Sequence, residues 1–546
     1  MNGCYCNFYN NCFSSMWTWA SNYVRFSKGA LFISGLLMSQ AFVDNAFRAF
    51  LISYIQFIWE KSSLRKAAAF ANAFEGVTMF TSIVLDHIAA DRIGRFKLLV
   101  CTVPALIIAL LVLWLSSWLL ASHVSNIIFY VALTLFMLGT AGQDASLKPF
   151  LCDQFRATMD IDEIEIMEDQ FSQKQHMEKY EDTLRIRANF WNYIAVFLGT
   201  VVSSTFASSL EWDETFKVSL IVVVVAYLAF CSGKCCYDHE DPAGKTVAER
   251  MNQAKPLVKL LPLWITFIVY SLVEATGYTL FIEQSENLDD RIDLRIPIHS
   301  FNRIPLTSFY VLQSFTTFII SLLCDFLIIK FWSSEESIQH RARFVRIGIG
   351  MFFAIGCCIT AWRVEVRRLG SISEFENEIG QRISEGDRIP MTIVWLAPQF
   401  FLLGVVKGIL GKGLRHLFYD RVPVSMWVLE YLFNGGMLGF GRFVSVLSLL
   451  FARPWIGDTI NESQADKYLL MLAVLNIFIM FVYIFLTYRY DWNVIVPKSG
   501  SHVSMEMVAS STELITASSS VPLALGTNSK SPSKSLSNLE SRSVEK

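Results

Sequence analysis

Long apolar runs recur along the chain, separated by short polar stretches. "LLVCTVPALIIALLVLWLSSWLL" from Leu98 and "YLLMLAVLNIFIMFVYIFLTY" from Tyr468 are each long enough to cross the roughly 30 Å hydrocarbon core of a bilayer as helix. Similar runs lie near 30–57, 67–87, 124–150, 188–207, 216–233, 259–283, 308–332, 345–363, 391–419 and 427–452, so the pattern predicts twelve spans. The fifth, "FWNYIAVFLGTVVSSTFA", is the least apolar and is placed by its spacing from its neighbours. The expected fold class is therefore an all-α membrane protein. The opening "MNGCYCNFYNNCF" has neither a basic n-region nor a short apolar core, and no cleavable signal is expected there.

The spans divide into two blocks of six, which is the layout of a rocking transporter. The expected organisation is an N-terminal tail over 1–29, one six-helix half over 30–233, a polar linker over 234–258, a second half over 259–489 and a Ser-rich tail over 490–546. Basic residues concentrate in "ADRIGRFK" (90–97), in the linker and in "KFWSSEESIQHRARFVR" (330–346), which alternate in phase and place both termini in the cytosol. Loops at 284–307 and 364–390 then face outward, as does the sequon at Asn461, a candidate glycan acceptor. The stretch 152–187 is acidic and reads as an amphipathic helix, whereas the tail has the composition of a disordered segment and offers sites to regulatory kinases.

Composition supports the membrane reading: of 546 residues, 53% are hydrophobic and 17% charged. The formal net charge is −2, so no global basic surface recruits nucleic acid. Most of the eleven cysteines sit inside apolar runs as small hydrophobes, and no disulfide framework is expected. No spacing matches a zinc site, a phosphate loop or a nucleophile elbow, so the chain offers an enzyme no residues to work with and no cofactor is expected.

"LDHIAADRIGRFKLL" resembles the hinge motif of the major facilitator superfamily, in which Asp91, Arg92, Gly94 and Arg95 would form charged contacts between helix ends. "LGTAGQDASLKPFLCDQF" (138–155), "LPLWITFIVYSLVEATGYTLFIEQS" (261–285), "WLAPQFFLLG" (395–404) and "LFYDRVPVSM" (417–426) are similar to signatures of the plant nitrate transporter 1/peptide transporter family, relatives of proton-coupled oligopeptide transporters. The resemblance runs from about Ala30 to Trp492. It implies a twelve-helix major facilitator fold with substrate held between the halves and alternating access driven by a proton gradient.

Several departures from the family concern charges inside the spans. Where the family carries Glu-x-x-Glu-Arg in its first span, this chain reads Ala41-Phe42-Val43-Asp44-Asn45, with Arg48 one helical turn after Asp44. The two can pair along the helix, either as a reduced proton relay or as a neutralised polar spot. Lys148 matches the lysine of the family's G-x-K-P, where it would attract a substrate anion; snorkelling to the cytoplasmic face is the other reading. Lys407 replaces a family glutamate in the tenth span, about 20 Å of helix from either end, too deep for its roughly 6 Å stem to reach water beyond the headgroups. It needs a wet cavity or an acid, and Glu274 in the seventh span is the expected partner. A glutamate at that place also disfavours nitrate. Glu283 reads as a rim residue, and Glu75 and Asp325 as packing or rim groups. Arg415 and His416 read as headgroup contacts, and Arg442 finds no partner in sequence terms.

The sequence therefore predicts a secondary transporter of a small anionic or zwitterionic solute, with proton coupling altered by the degenerate first-span motif. Lys148, Glu274, Lys407, Asp44 and Arg48 are the expected substrate or coupling residues. The bilayer and a small solute are the expected partners, with the plasma membrane preferred to the vacuolar one. The alternative is a transporter-like sensor or scaffold that no longer moves solute.

Overall fold

The computed structural model describes residues 27–58, 63–119, 125–156, 173–207, 210–237, 258, 261–291, 304–331, 336–383, 387–422 and 429–489. They form twelve helices. The first half holds α1 (Lys28–Ile58), α2 (Leu64–Ile88), α3 (Arg95–Leu119), α4 (Ser125–Arg156), α5 (Gln173–Ala207) and α6 (Trp212–Ser232). The second holds α7 (Leu261–Glu283, in three pieces), α8 (Ser308–Phe331), α9 (Glu336–Ile379), α10 (Ala397–Arg421), α11 (Glu430–Phe451) and α12 (Ala465–Arg489). Ten of them are long and apolar enough to cross a membrane. The 490–546 tail, most of the 1–29 tail, most of the 234–258 linker, residues 157–172 and the side chain of Asp325 lie outside the described residues.

The face at which α1 begins is called proximal here and the opposite face distal. Apolar side chains cover the periphery: Phe478, Phe481 and Phe485 of α12 and Val345 and Phe352 of α9 are all exposed. In water such a belt would aggregate; in a bilayer it is solvated.

The halves meet along two seams. α2 packs along α11, where Asn72 Nδ2 donates to Ser445 Oγ at 3.0 Å and Gly76 lies against Arg442 and Phe443. α5 packs against α8, with the Phe197 and Phe318 rings stacked and Ser204 Oγ bonded to Thr307 Oγ1 at 3.0 Å. Small residues at such seams let helix backbones approach when no hydrophobic force distinguishes protein from lipid.

Two expected loops fold differently. The 364–390 stretch is helical as far as Ile379, because "RVEVRRLGSISEFENEI" is rich in helix formers, and Gly380 ends it in the left-handed region at φ +72°. The apolar run from 391 does not begin as helix. Ile389–Thr392, two of whose residues are β-branched, forms a strand paired in parallel with Leu288–Asp289, and α10 starts after it, with Pro398 in its first turn.

A fully buried polar clamp holds this distal face. Arg368 grips Glu365 with Nε and Nη2 at 3.1 and 2.9 Å, Gln284 Nε2 donates to Glu365 Oε2 at 2.8 Å, and Gln399 Nε2 donates to Gln284 Oε1 at 2.9 Å. Arg368 also donates to Asn461 Oδ1 at 2.6 Å, and the amide nitrogen of Asn461 donates to Asn287 Oδ1 at 2.7 Å. The starts and ends of α7, α9, α10 and the loop before α12 are thereby fixed together.

Candidate functional site

α7 is broken by turns at 266–267 and 278–279, with Thr279 far from helical geometry at φ −122°, ψ −83°. The middle piece, Ile268–Gly277, is buried from Val269 onward and carries Glu274. A Cβ on Gly277 would lie 2.3 Å from Leu403 Cδ2, so glycine lets α7 rest directly on α10. On the other side of α10, Gly404 and Gly408 seat against Gln313, Thr316 and Ile320 of α8, a small-xxx-small contact that fixes the helix's rotation. One turn beyond Leu403, Lys407 then faces the α7 residues one turn before and just after Gly277.

Lys407 Nζ lies 3.0 Å from Glu274 Oε1 and donates to Tyr278 OH at 2.9 Å. Tyr278 OH also accepts from Gln313 Nε2 at 3.0 Å. Although it sits near the middle of α10, the Lys407 side chain is 38% exposed. The pair therefore combines a partly exposed charge and a nearly buried carboxylate.

From this pair the charges continue into the first half. Arg442 of α11, 2% exposed, has its Nη2 3.7 Å from Glu274 Oε2 and 3.0 Å from Glu75 Oε2. The other Glu75 oxygen accepts from Arg48 Nε at 2.9 Å. Arg48, Glu75, Arg442, Glu274 and Lys407 thus form an alternating row reaching from α1 to α10, with one positive charge in excess. The Tyr278 ring is its hub: the Arg48, Lys407 and Arg442 cations lie 4.8, 5.4 and 5.6 Å from its centre, within range of its negative face.

This geometry corrects the expected Asp44–Arg48 pair. The guanidinium of Arg48 reaches across to α2 instead, where Glu75 is already held by Arg442. Asp44 lines a small cavity of about 60 Å³ together with Arg48, Glu75, Thr140 and Asp144. Asp144, on α4, accepts from Gln40 Nε2 at 2.5 Å. Lys148 comes one turn after Asp144 and lies nearer the proximal end, with Arg415, Lys412 and Glu430 as its charged neighbours. The α4 residue in the central cavity is therefore an acid, and Lys148 stands outside that group.

At the α2–α3 turn, the chain widens into one π-turn over Ala89–Ile93, and Gly94 adopts φ +89°, which suits only glycine readily. Asp91 Oδ2 sits 2.9 Å from His87 Nδ1, Arg95 pairs with Asp153 of α4, and Arg92 is exposed. On the distal side, a cavity of about 1120 Å³ is lined by Glu283, Glu286, Asp290, Asp387 and Asp458, with Arg388 the basic residue among them. Arg388 is held by Asp289 and Asp290 at 3.4 and 2.5 Å.

Comparison with known proteins bears on the fold that carries this arrangement. The POT family model matches residues 246–434. The Arabidopsis thaliana proteins NRT1/PTR FAMILY 5.10 and 5.7 are 22% and 23% identical, over 85% and 86% of this chain and 92% and 89% of their own. The chain is similar to POT-family proteins. Among solved structures, a POT family transporter in complex with 5-aminolevulinic acid aligns with a TM-score of 0.61 at 10% identity, covering 86% of this chain and 98% of that one. An auto-inhibited POT family peptide transporter aligns at 0.60 and 13% identity, over 85% and 97%. The fold is the major facilitator fold with two six-helix halves, and the charge row and its tyrosine hub lie between them.

Sequence reasoning missed Glu75, Arg442 and Asp144 as members of this group. A signal for the first two exists: each is a charge deep in an apolar run that finds no partner on its own helix.

Proposed function

We propose that this POT-family relative is a secondary transporter of a small organic solute that carries a carboxylate and a cationic group, a zwitterionic metabolite or short peptide. The observation that carries the reading is the charge row Arg48–Glu75–Arg442–Glu274–Lys407, which spans both halves and has one cation in excess. Lys407, the solvent-facing member, is the residue that would take the solute carboxylate, releasing Glu274 to Arg442. The acidic lining of the distal cavity favours a solute with a cationic group over a simple anion, since a cleft of one sign concentrates the opposite sign. Nitrate fits this lining poorly.

Coupling is assigned to Asp44 and Asp144. Among the described residues neither makes an ion pair, whereas Glu274 is engaged by two cations. Two carboxylates in one small cavity repel, and a proton shared between them removes the repulsion. Protonation also makes the site more positive and so strengthens its hold on a carboxylate. Proton and solute would then load together, which is the logic of a symporter.

An untargeted uptake screen at two external pH values, in oocytes expressing the chain and its Lys407→Gln variant, tests this. Lysine-dependent accumulation of carboxylate-bearing solutes, larger at acidic pH, is expected. A surface-expressed protein that moves nothing would favour the sensor or scaffold.

A further inference from the structure

The proximal ends of α9 and α10 carry a second group of charges that the central row does not use. Arg346, on α9, is 8% exposed, and among the described residues its Nε, Nη1 and Nη2 all lack a hydrogen-bond partner. A guanidinium presents five N–H donors in a rigid fork, and burying it unpaired in an apolar surrounding is costly. Its neighbours make matters worse. His416 of α10 is in electrostatic reach of Arg346, Arg343, Lys412 and Arg415, all of them basic. The helices are close here because Gly413 of α10 faces Ile347 of α9, where a Cβ would come within 3.0 Å.

Two of the surrounding cations are engaged: Lys412 Nζ donates to Ser321 O at 3.0 Å and lies 5.2 Å from the Tyr193 ring, and Arg415 Nε donates to Gly411 O at 3.2 Å. Among the described residues, Arg346 is left as a buried, unpartnered fork inside a basic cluster. We propose that Arg346, with His416, Arg343 and Arg415 around it, forms a binding site for a phosphate-bearing anion.

The chemistry of the ligand follows from the donors. A guanidinium matches two oxygens of one tetrahedral anion, and several nearby cations favour a doubly charged group over a carboxylate. Its source follows from the depth. Arg346 is the last charge before the apolar run 347–362 of α9, and the adjacent Val345, with Ile349 and Phe352 beyond it, faces outward. The basic cluster is therefore at headgroup level beside the lipid-facing surface, where basic sites between helices take anionic headgroups. A phosphate monoester lipid is the ligand that both features select.

The test uses the full-length chain in nanodiscs of phosphatidylcholine alone, with phosphatidic acid, or with phosphatidylserine, and in phosphatidylcholine with inorganic phosphate added. Retained lipid is read by native mass spectrometry and the unfolding midpoint by thermal shift. Phosphatidic acid should be retained and should raise the midpoint, with phosphatidylserine weaker. Arg346→Gln should bind it about tenfold less tightly or worse, and Arg346→Lys, which keeps the charge and loses the fork, should fall between. An Arg346-dependent shift with inorganic phosphate but not with phosphatidic acid would keep the anion site and reassign its source to soluble phosphate. Absence of any shift in the unmodified chain with both probes, or equal retention by Arg346→Gln, would overturn the proposal.

Discussion

Arg442 of α11 and Glu75 of α2 meet at 3.0 Å across the seam between the two six-helix halves. The contact is close because Gly76 and Gly439 let the helices approach there, and it is shared, because Arg48 holds the other Glu75 oxygen and Glu274 lies 3.7 Å from the same Arg442 nitrogen. A transport cycle that rocks the halves must carry this pair along or part it.

Glu75→Gln therefore removes the anion between two arginines. Leaving a buried charge uncompensated costs about 3–5 kcal/mol, and the partial exposure of Arg48 brings this site to the lower end of that range. Flux should fall sharply at normal surface expression, with a lowered melting temperature. In a double-mutant cycle with Arg442→Gln, a coupling of roughly 0.5–3 kcal/mol is expected from transport rates, and strict additivity would show that the pair does not act as one.

Lys407→Gln should raise KM for a carboxylate-bearing solute about tenfold or more, the scale of one charge-assisted hydrogen bond, while an amide analogue of the same solute is little affected. Concentration-dependent uptake of the two solutes side by side provides the measurement.

Asp144→Asn and Asp44→Asn each remove one of the two carboxylates proposed to share a proton. In the unmodified chain KM should fall as the external pH is lowered, since protonation favours anion binding. Either variant should keep a low KM at all pH values and lose pH-driven accumulation while still exchanging solute. A variant that still accumulates solute against its gradient when pH is lowered would remove that acid from the coupling role.

Gly441→Ala tests the packing that supports the site. The added methyl would fall 2.4 Å from Ser271 Cβ and 3.0 Å from Ile268 O, forcing α11 away from α7. Overpacking of this kind costs about 1–3 kcal/mol, read as a drop in the melting temperature of purified protein.

Much of this was legible in the chain because a bilayer demands long apolar helices, and the twelve runs announce them. Lys407 and Glu274 were also legible, because a charge in the middle of such a run needs an acid nearby and few are available. The contacts between halves were not. Glu75 and Arg442 belong to separate six-helix halves, and no periodicity connects them. Arg48 was assigned to Asp44 because a helical turn joins them, yet the tertiary partner on α2 won. Likewise the polar 364–379 stretch read as a loop because its charges masked a helix that outlasts the membrane. Asp144 was overlooked beside Lys148: the two stand one turn apart on α4, and only the packing of α1 against α4 selects the acid for the cavity.

The fully buried Arg368 clamp has a bearing on the sequon at Asn461. Both ends of that amide are occupied, the oxygen by Arg368 and the nitrogen by Asn287, so once the clamp has formed a sugar would have to join through the one N–H left over, on a loop already pinned to Arg368. Oligosaccharide at this asparagine would thus mark polypeptide caught before the distal face had assembled, and its absence from mature protein would reflect closure of the fold.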